Sequence, residues 1–489
     1  MTDTYHRQLC IHGHFYQPPR DDPFTQLVPD EPGASPYHNF NEKITTECYR
    51  ANAEIGNFEH ISFDMGPTLA LWLARYAQDV YLRIVESDQA YRRRYGVGNA
   101  IAHAYNHTIL PLATIRDKRT QIVWGLTDFR QRFGHEPQGM WLAETAVDME
   151  TLEILADVGI EFTILAPWQA AHGIDVTQPY WVQLSGNRRI AVFFYNGPLS
   201  GDVSFNDTAT ANADAFAAGY LPHQVNWDKD QRGEDQLTII ATDGELYGHH
   251  KPFRDRFLAH LVQHSASAFG YEMMTLGRYL RDHPPTQDVQ IYAPSAWSCF
   301  HGVARWGAGC NCTEGDTAWK PAFRRSLDRV AARIDTLFEQ KASLTLDDPW
   351  AARDGYIAWR NGWMSADAFW ARYGRQGNKP RKAALAVRTW HMLEAEYCMQ
   401  TSFTSCGWFF EDLDRIEPRN DINAARCAIS HIWQALHVNL QTDFVADLRA
   451  ARSWRTQVTG DMIYNQLPAP PSSDMLPPRV RSLRHDPAA

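Results

Sequence analysis

Over the first ~280 residues, short apolar runs alternate with stretches of helical periodicity, and that alternation admits few architectures. It predicts a parallel α/β arrangement in which each strand feeds a helix. Leu9-Cys10-Ile11-His12-Gly13-His14-Phe15 reads as the first strand, and further strands are expected at 60–63, 100–103, 139–142, 162–165, 190–195 and 237–241. Between them lie amphipathic segments. Over 118–133, Ile122, Val123, Leu126, Phe129 and Phe133 fall on one helical face. Asp148 is placed to cap a helix that carries Leu152, Leu155 and Val158. No period of 20 to 50 residues repeats, which excludes solenoids and propellers.

Beyond Ser295 the strand signals thin out, and helices are predicted over 320–339, 382–400 and 423–440. With a boundary near Pro284-Pro285, the reading is a β/α barrel over 1–284 and a mainly helical domain over 285–460, packed over the barrel mouth and contributing to it. A tail over 461–489, rich in Pro and Ser, is expected to be disordered.

Three predicted strands run straight into polar clusters. The first ends in His12-Gly13-His14-Phe15-Tyr16-Gln17-Pro18, another gives Met140-Trp141-Leu142-Ala143-Glu144-Thr145, and a third gives Ile240-Ala241-Thr242-Asp243-Gly244-Glu245. In a β/α barrel the carboxyl ends of the strands converge on one face, where groups from distant parts of the chain meet. One carboxylate after a strand is ordinarily a helix cap or half of an ion pair. Three clusters on the same predicted face are different, because caps have no reason to gather histidine, tryptophan and acids together. Glu144 and Asp243, with histidines nearby and no cofactor motif, suit acid/base or covalent chemistry on a neutral polyol without a cofactor or metal.

Composition narrows the partners. A formal net charge of −10 with no long basic run argues against nucleic acid, and no apolar stretch approaches the ~20 residues needed to span a bilayer. No basic segment followed by an apolar core opens the chain, and eight cysteines spread over 489 residues form no disulfide scaffold, so a cytoplasmic location with reduced thiols is expected. The 17 Trp, 20 Tyr and 23 Phe supply flat faces that suit sugar rings, or equally a large core.

In order and spacing these clusters, with Gly56-Asn57-Phe58-Glu59-His60 through Asp64-Met65-Gly66-Pro67, Tyr105-Asn106-His107 and Leu246-Tyr247-Gly248-His249, resemble glycoside hydrolase family 57 over about Leu9 to Leu280. The resemblance implies a distorted (β/α)7 TIM-like barrel and a retaining mechanism on α-glucans, as in α-amylases and 4-α-glucanotransferases. Glu144 is then the expected nucleophile and Asp243 the expected general acid/base. A substrate-contacting set is expected of His12, His14, Gln17, Glu59, Asp64, His107, Glu245 and His249. Glu245 can equally brace His249 or cap the next helix. Two residues separate His14 from Gln17 in the His-Gln-Pro motif, so either His12 or His14 can face the sugar. His250 stands where relatives commonly carry an aromatic residue. The helical remainder resembles an uncharacterised C-terminal domain, through Trp297-Ser298-Cys299-Phe300-His301 with Arg305-Trp306, and Phe403 to Phe410 around Trp408. From it His301, Arg305, Trp306 and Trp408 join the candidates; Trp141, Trp297, Trp306 and Trp408 can stack on sugar or fill the core. The partner is therefore an oligo- or polysaccharide, expected to be an α-glucan.

Two other classes compete. His12, His14 and His107 with Asp64 or Asp243 can be read as a Zn²⁺ site of the deacetylase or mannosidase type, and a barrel that only binds glucan is the non-catalytic version. Cys299, His301, Cys310 and Cys312 offer three thiols and an imidazole within fourteen positions, although Cys-x-Cys is not the usual zinc spacing.

Overall fold

The computed structural model describes residues 6–468. Within them the chain divides into two compact units, one of 6–17, Asp30–Tyr105 and Phe129–Trp297, the other of Pro18–Pro29, Asn106–Asp128 and 298–468. The division after Trp297 replaces the boundary expected at Pro284-Pro285. Neither unit is continuous in sequence, which composition shifts along a chain cannot reveal.

The first unit holds nine strands: β1 (Arg7–Phe15), β2 (Ser62–Met65), β3 (Ala100–His103), β4 (Met140–Trp141), β5 (Phe162–Leu165), β6 (Tyr180–Gln183), β7 (Arg189–Phe194), β8 (Gln236–Asp243) and β9 (Glu272–Met273). The order β4-β3-β2-β1-β8 is parallel throughout, and β5 pairs parallel with β7. Two links join these sheets. Gly139 bridges Phe162 in parallel, and the Asn196 amide donates to the Ile239 carbonyl at 2.7 Å. The circuit β1-β2-β3-β4-β5-β7-β8 thereby closes as a distorted seven-stranded barrel, with β6 antiparallel on β7 outside it. Gly139 is required at its bridge, because a Cβ there would lie 2.4 Å from the Phe162 ring.

Period-two alternation sorts the strand side chains. One buried cluster contains Cys10 of β1, Ile101 of β3, Phe162 and Ile164 of β5, Ala191 and Phe193 of β7, and Leu237, Ile239 and Ala241 of β8. Continuing each series in steps of two brings His12 and His14, His103, Tyr195 and Asp243 onto the same face, one layer further toward the carboxyl ends. The barrel thus has an apolar floor and a polar upper layer, written in the same strands.

The helix spanning Ile115–Phe133 buries Ile122, Leu126, Phe129 and Phe133, and Asp148 caps the helix Met149–Asp157 by accepting from the Thr151 amide at 2.8 Å.

The second unit is helical. Its longest helices are Trp319–Ala342, Ala383–Thr401 and Ile416–Leu436, and Pro349–Arg360 carries a fully buried Arg353. That guanidinium lies 2.9 Å from both Glu396 and Asp117, which repays its desolvation. Gly460–Gln466 is a helix with Ile463 and Tyr464 buried, which corrects the expectation of disorder from 461; residues 469–489 of that expected tail lie outside the described residues. No helix among the described residues is long and apolar enough to cross a membrane.

Candidate active site

Register places Asp64 of β2 beside His14 of β1, and His14 in turn beside Asp243 of β8. Asp64 is fully buried and receives two imidazoles: His12 Nε2 donates to Oδ1 at 3.1 Å and His14 Nδ1 to Oδ2 at 2.8 Å. His12 Nδ1, 3.0 Å from Ser62 Oγ, is left to accept from that hydroxyl. His14 stacks between neighbours, with ring centroids 5.1 Å from Trp141 and 5.4 Å from His103.

Burial penalises charge on all three imidazoles, and it prevails at two of them. It holds His12 below the ordinary histidine range and pushes His103 down to about 4. At His14 burial is outweighed by the negative charges of Asp64, Asp243 and Glu245, which lift it to about 9. Asp64 faces the same burial cost, but His14 and the two histidine hydrogen bonds take it down to about 2. One proton therefore sits among the histidines, on His14, beside one ionised Asp64.

Asp243, the last residue of β8, is solvent-exposed at the end of its strand. Protein crowded around it still raises its carboxyl above the usual range; Asp64 adds to the shift, while His14 and His250 oppose it. Because the side chain reaches water, its desolvation is partial. Glu245 is buried and accepts from the Tyr16 amide at 3.1 Å and the Tyr49 hydroxyl at 2.6 Å. Burial and the charge on Asp243 push it up to about 7 against the Tyr49 bond.

Glu144 follows β4 in the left-handed region, with φ 57°, and Thr145 follows at φ 47°. Each such residue costs about 1–3 kcal/mol unless its surroundings over-determine it. Here they do. Trp297 Nε1 donates to Glu144 Oε2 at 2.8 Å, and the Trp297 amide donates to the Glu144 carbonyl at 3.0 Å. Gln169, fully buried after β5, accepts from Thr145 Oγ1 at 2.8 Å and donates to the Thr145 carbonyl at 2.9 Å and to Ser295 Oγ at 3.0 Å. Gln169→Ala is expected to lower kcat about 10- to 100-fold while KM changes little, because a loosened turn misplaces Glu144. A fall in thermal stability with unchanged kcat would make Gln169 merely structural.

Several sequence candidates lie elsewhere. Glu59 precedes β2, and is thus at the opposite end of the barrel from the strand carboxyl ends; a motif match does not report which end of a strand it flanks. Trp141, Trp306 and Trp408 are at most 1% exposed and serve as core, so their faces are closed to a sugar. Glu245 braces Tyr16 and Tyr49 rather than the His249 ring, which is held by Glu47 at 2.5 Å. Gln17 is buried, and its carbonyl accepts from Thr68 at 2.5 Å. His107, His301, Arg305, Trp306 and Trp408 belong to the second unit, where His107 Nδ1 lies 2.5 Å from Ser405 Oγ and Arg305 lies over the Phe409 ring.

Sequence reasoning missed His103, Tyr195, Gln169 and Trp168. All four end or follow strands, so the rule that found Glu144 would have found them. Trp168 is 43% exposed, edge-on to Tyr195, with Nε1 3.2 Å from the Ala296 carbonyl, whereas Trp141 is fully buried. Tyr49 gave no such signal.

Fold and site define a β/α-barrel enzyme whose acids stand at the carboxyl ends of the strands. The chain belongs to glycosyl hydrolase family 57, whose model matches residues 23–294; residues 316–476 match a domain of unknown function, DUF3536. It is accordingly an enzyme of glycosidic bonds, a glycoside hydrolase or glucanotransferase, with an oligo- or polysaccharide substrate. An exo-type maltose-forming amylase from Pyrococcus sp. ST04 shares the fold at 13% identity and a TM-score of 0.74, over 98% of this chain and 91% of that one. A branching enzyme from Thermococcus kodakaraensis does so at 14% identity and 0.57, over 96% and 99%. A 4-alpha-glucanotransferase from Thermococcus litoralis matches at 16% and 0.54, over 88% of this chain and 59% of that one. No curated protein matches the chain.

Proposed function

We propose that this protein is a retaining α-glucan hydrolase or glucanotransferase in which Glu144 attacks the anomeric carbon and Asp243 protonates the leaving oxygen. The observation that supports it best is the contrast between the two acids. Glu144 is clamped in a left-handed turn by Trp297, as a nucleophile must be, whereas Asp243 is water-accessible with a raised carboxyl, as a general acid must be. The family and its amylase, branching-enzyme and glucanotransferase folds support α-glucan as the substrate. In a retaining pair the carboxyls work about 5–5.5 Å apart, and the glycosyl-enzyme is then opened by water or by a glucan hydroxyl that Asp243 deprotonates. His14 is the histidine assigned to the sugar, because its side chain keeps 6% exposure while that of His12 has none. Trp168, 43% exposed after β5 and edge-on to Tyr195, is assigned as a further sugar contact.

Incubation with maltoheptaose tests the reading. Products of altered length should appear first as the α-anomer; initial release of the β-anomer would overturn retention, and longer products would identify transfer. The chemistry uses carboxylates, and two of the three imidazoles of the competing zinc set, those of His12 and His14, are hydrogen-bonded to Asp64. Activity should therefore survive brief EDTA treatment, and loss restored by Zn²⁺ in a chain whose fold the chelator leaves intact would favour the metal-dependent reading.

A further inference from the structure

In the second unit, residues 299–312 gather another set of reactive side chains, in a stretch that neither family model matches. Cys299, His301, Cys310 and Cys312 each supply one ligand atom, and all four atoms lie within 4.8 Å of one another. Cys299 Sγ is 3.7 Å from Cys310 Sγ, and His301 Nδ1 is 3.3 Å from Cys312 Sγ. A tetrahedral ion with bonds of about 2.3 Å to sulfur and 2.0 Å to nitrogen sets those edges at about 3.8 and 3.5 Å. A disulfide would need the sulfurs at about 2.05 Å. We propose that these four residues form a structural Zn²⁺ site of the Cys₃His type.

The surrounding chain is built for such a site. Between Trp297 and the helix Trp319–Ala342 the only helical element is the three-residue turn Ala304–Trp306, so little backbone bonding fixes this loop. Gly302 directly follows His301 at φ 73°, and Gly309 directly precedes Cys310 at φ 82°. A Cβ on Gly309 would also fall 2.6 Å from Thr317 Oγ1. These left-handed turns fold the Cys-x-His pair back onto the Cys-x-Cys pair, which is how one-residue spacings converge. Arg305 Nη2 then ties the halves together by donating to the Cys312 carbonyl at 2.6 Å.

Charge points the same way. Lys320 is fully buried, and Arg305 and the thiols of Cys310, Cys299 and Cys312 are among the groups that act on it. Two cations crowded together need negative charge nearby. Zn²⁺ binding releases the three thiol protons, and His301 coordinates through Nδ1 with its proton on Nε2; three thiolates and the ion carry one net negative charge, which offsets one of the two positive charges beside it.

The test uses the full chain without a histidine tag, produced in zinc-replete medium and purified under reductant. About one Zn²⁺ per chain is expected by elemental analysis, falling at least tenfold in the Cys310→Ser/Cys312→Ser double variant. Replacement by Co²⁺ should give the visible bands of tetrahedral thiolate coordination. His301→Cys should retain the metal and strengthen the thiolate-to-cobalt band, so the proposal is decided even where the double variant fails to fold. Less than about a tenth of an equivalent of zinc with no cobalt bands would overturn it. So would metal content unchanged in the double variant, or a native Cys299–Cys310 disulfide found by mass spectrometry.

Discussion

Glu144→Gln and Asp243→Asn should each lower turnover on a natural glucan by on the order of 10⁴-fold with the fold intact, and they should fail at different steps. Without Glu144 no glycosyl-enzyme forms, so even a glycoside with a very good leaving group should give no burst of released product. Without Asp243 such a substrate needs little protonation, so the first step partly survives and the intermediate accumulates. Azide, a nucleophile that needs no base, should then restore turnover to the Asp243 variant as a glycosyl azide of retained configuration. Retained-configuration rescue of the Glu144 variant instead would exchange the two roles. Near-full activity in both would remove the two-carboxylate mechanism altogether.

Asp64→Asn is expected to cost about 3–5 kcal/mol of stability, because it leaves the His14 cation buried without its counter-charge. The pH dependence identifies the cause. His14 is raised in the folded state to about 9, so its contribution is complete below the ordinary histidine range and is lost as pH rises through about 9. Asp64 is depressed to about 2, so its contribution is present above the ordinary carboxylate range and is lost as pH falls toward 2. Denaturant midpoints across pH should show both limbs in the natural protein and neither in Asp64→Asn. An alkaline limb that persists in the variant would mean that another group holds the His14 proton.

All seven barrel strands were legible in the sequence, because a strand buried on both faces between amphipathic helices leaves an uninterrupted apolar run. β6 and β9 were not: β6 is an outer strand with Trp181 and Gln183 only partly covered, and β9 has two residues. Glu144 and Asp243 were found by position relative to a strand, and the same reasoning applied evenly would have added His103, Tyr195, Gln169 and Trp168. Trp141 misled because an aromatic after a strand looks identical whether it faces the mouth or the wall. What no local pattern carries is pairing at a distance. The partnership of Glu245 with Tyr49, 196 positions away, exists only once the barrel closes.

The donor that clamps Glu144 comes from Trp297, and the companion contact to Gln169 from Ser295, both just beyond the residues matched by the family model. Anyone who grafts a different C-terminal partner onto this barrel, or trims the chain to its recognisable catalytic portion, must therefore carry three more residues across the seam. A chimera cut at 294 would keep both acids and lose the side chains that hold one of them in place. Its inactivity would then be charged wrongly to the missing helical domain.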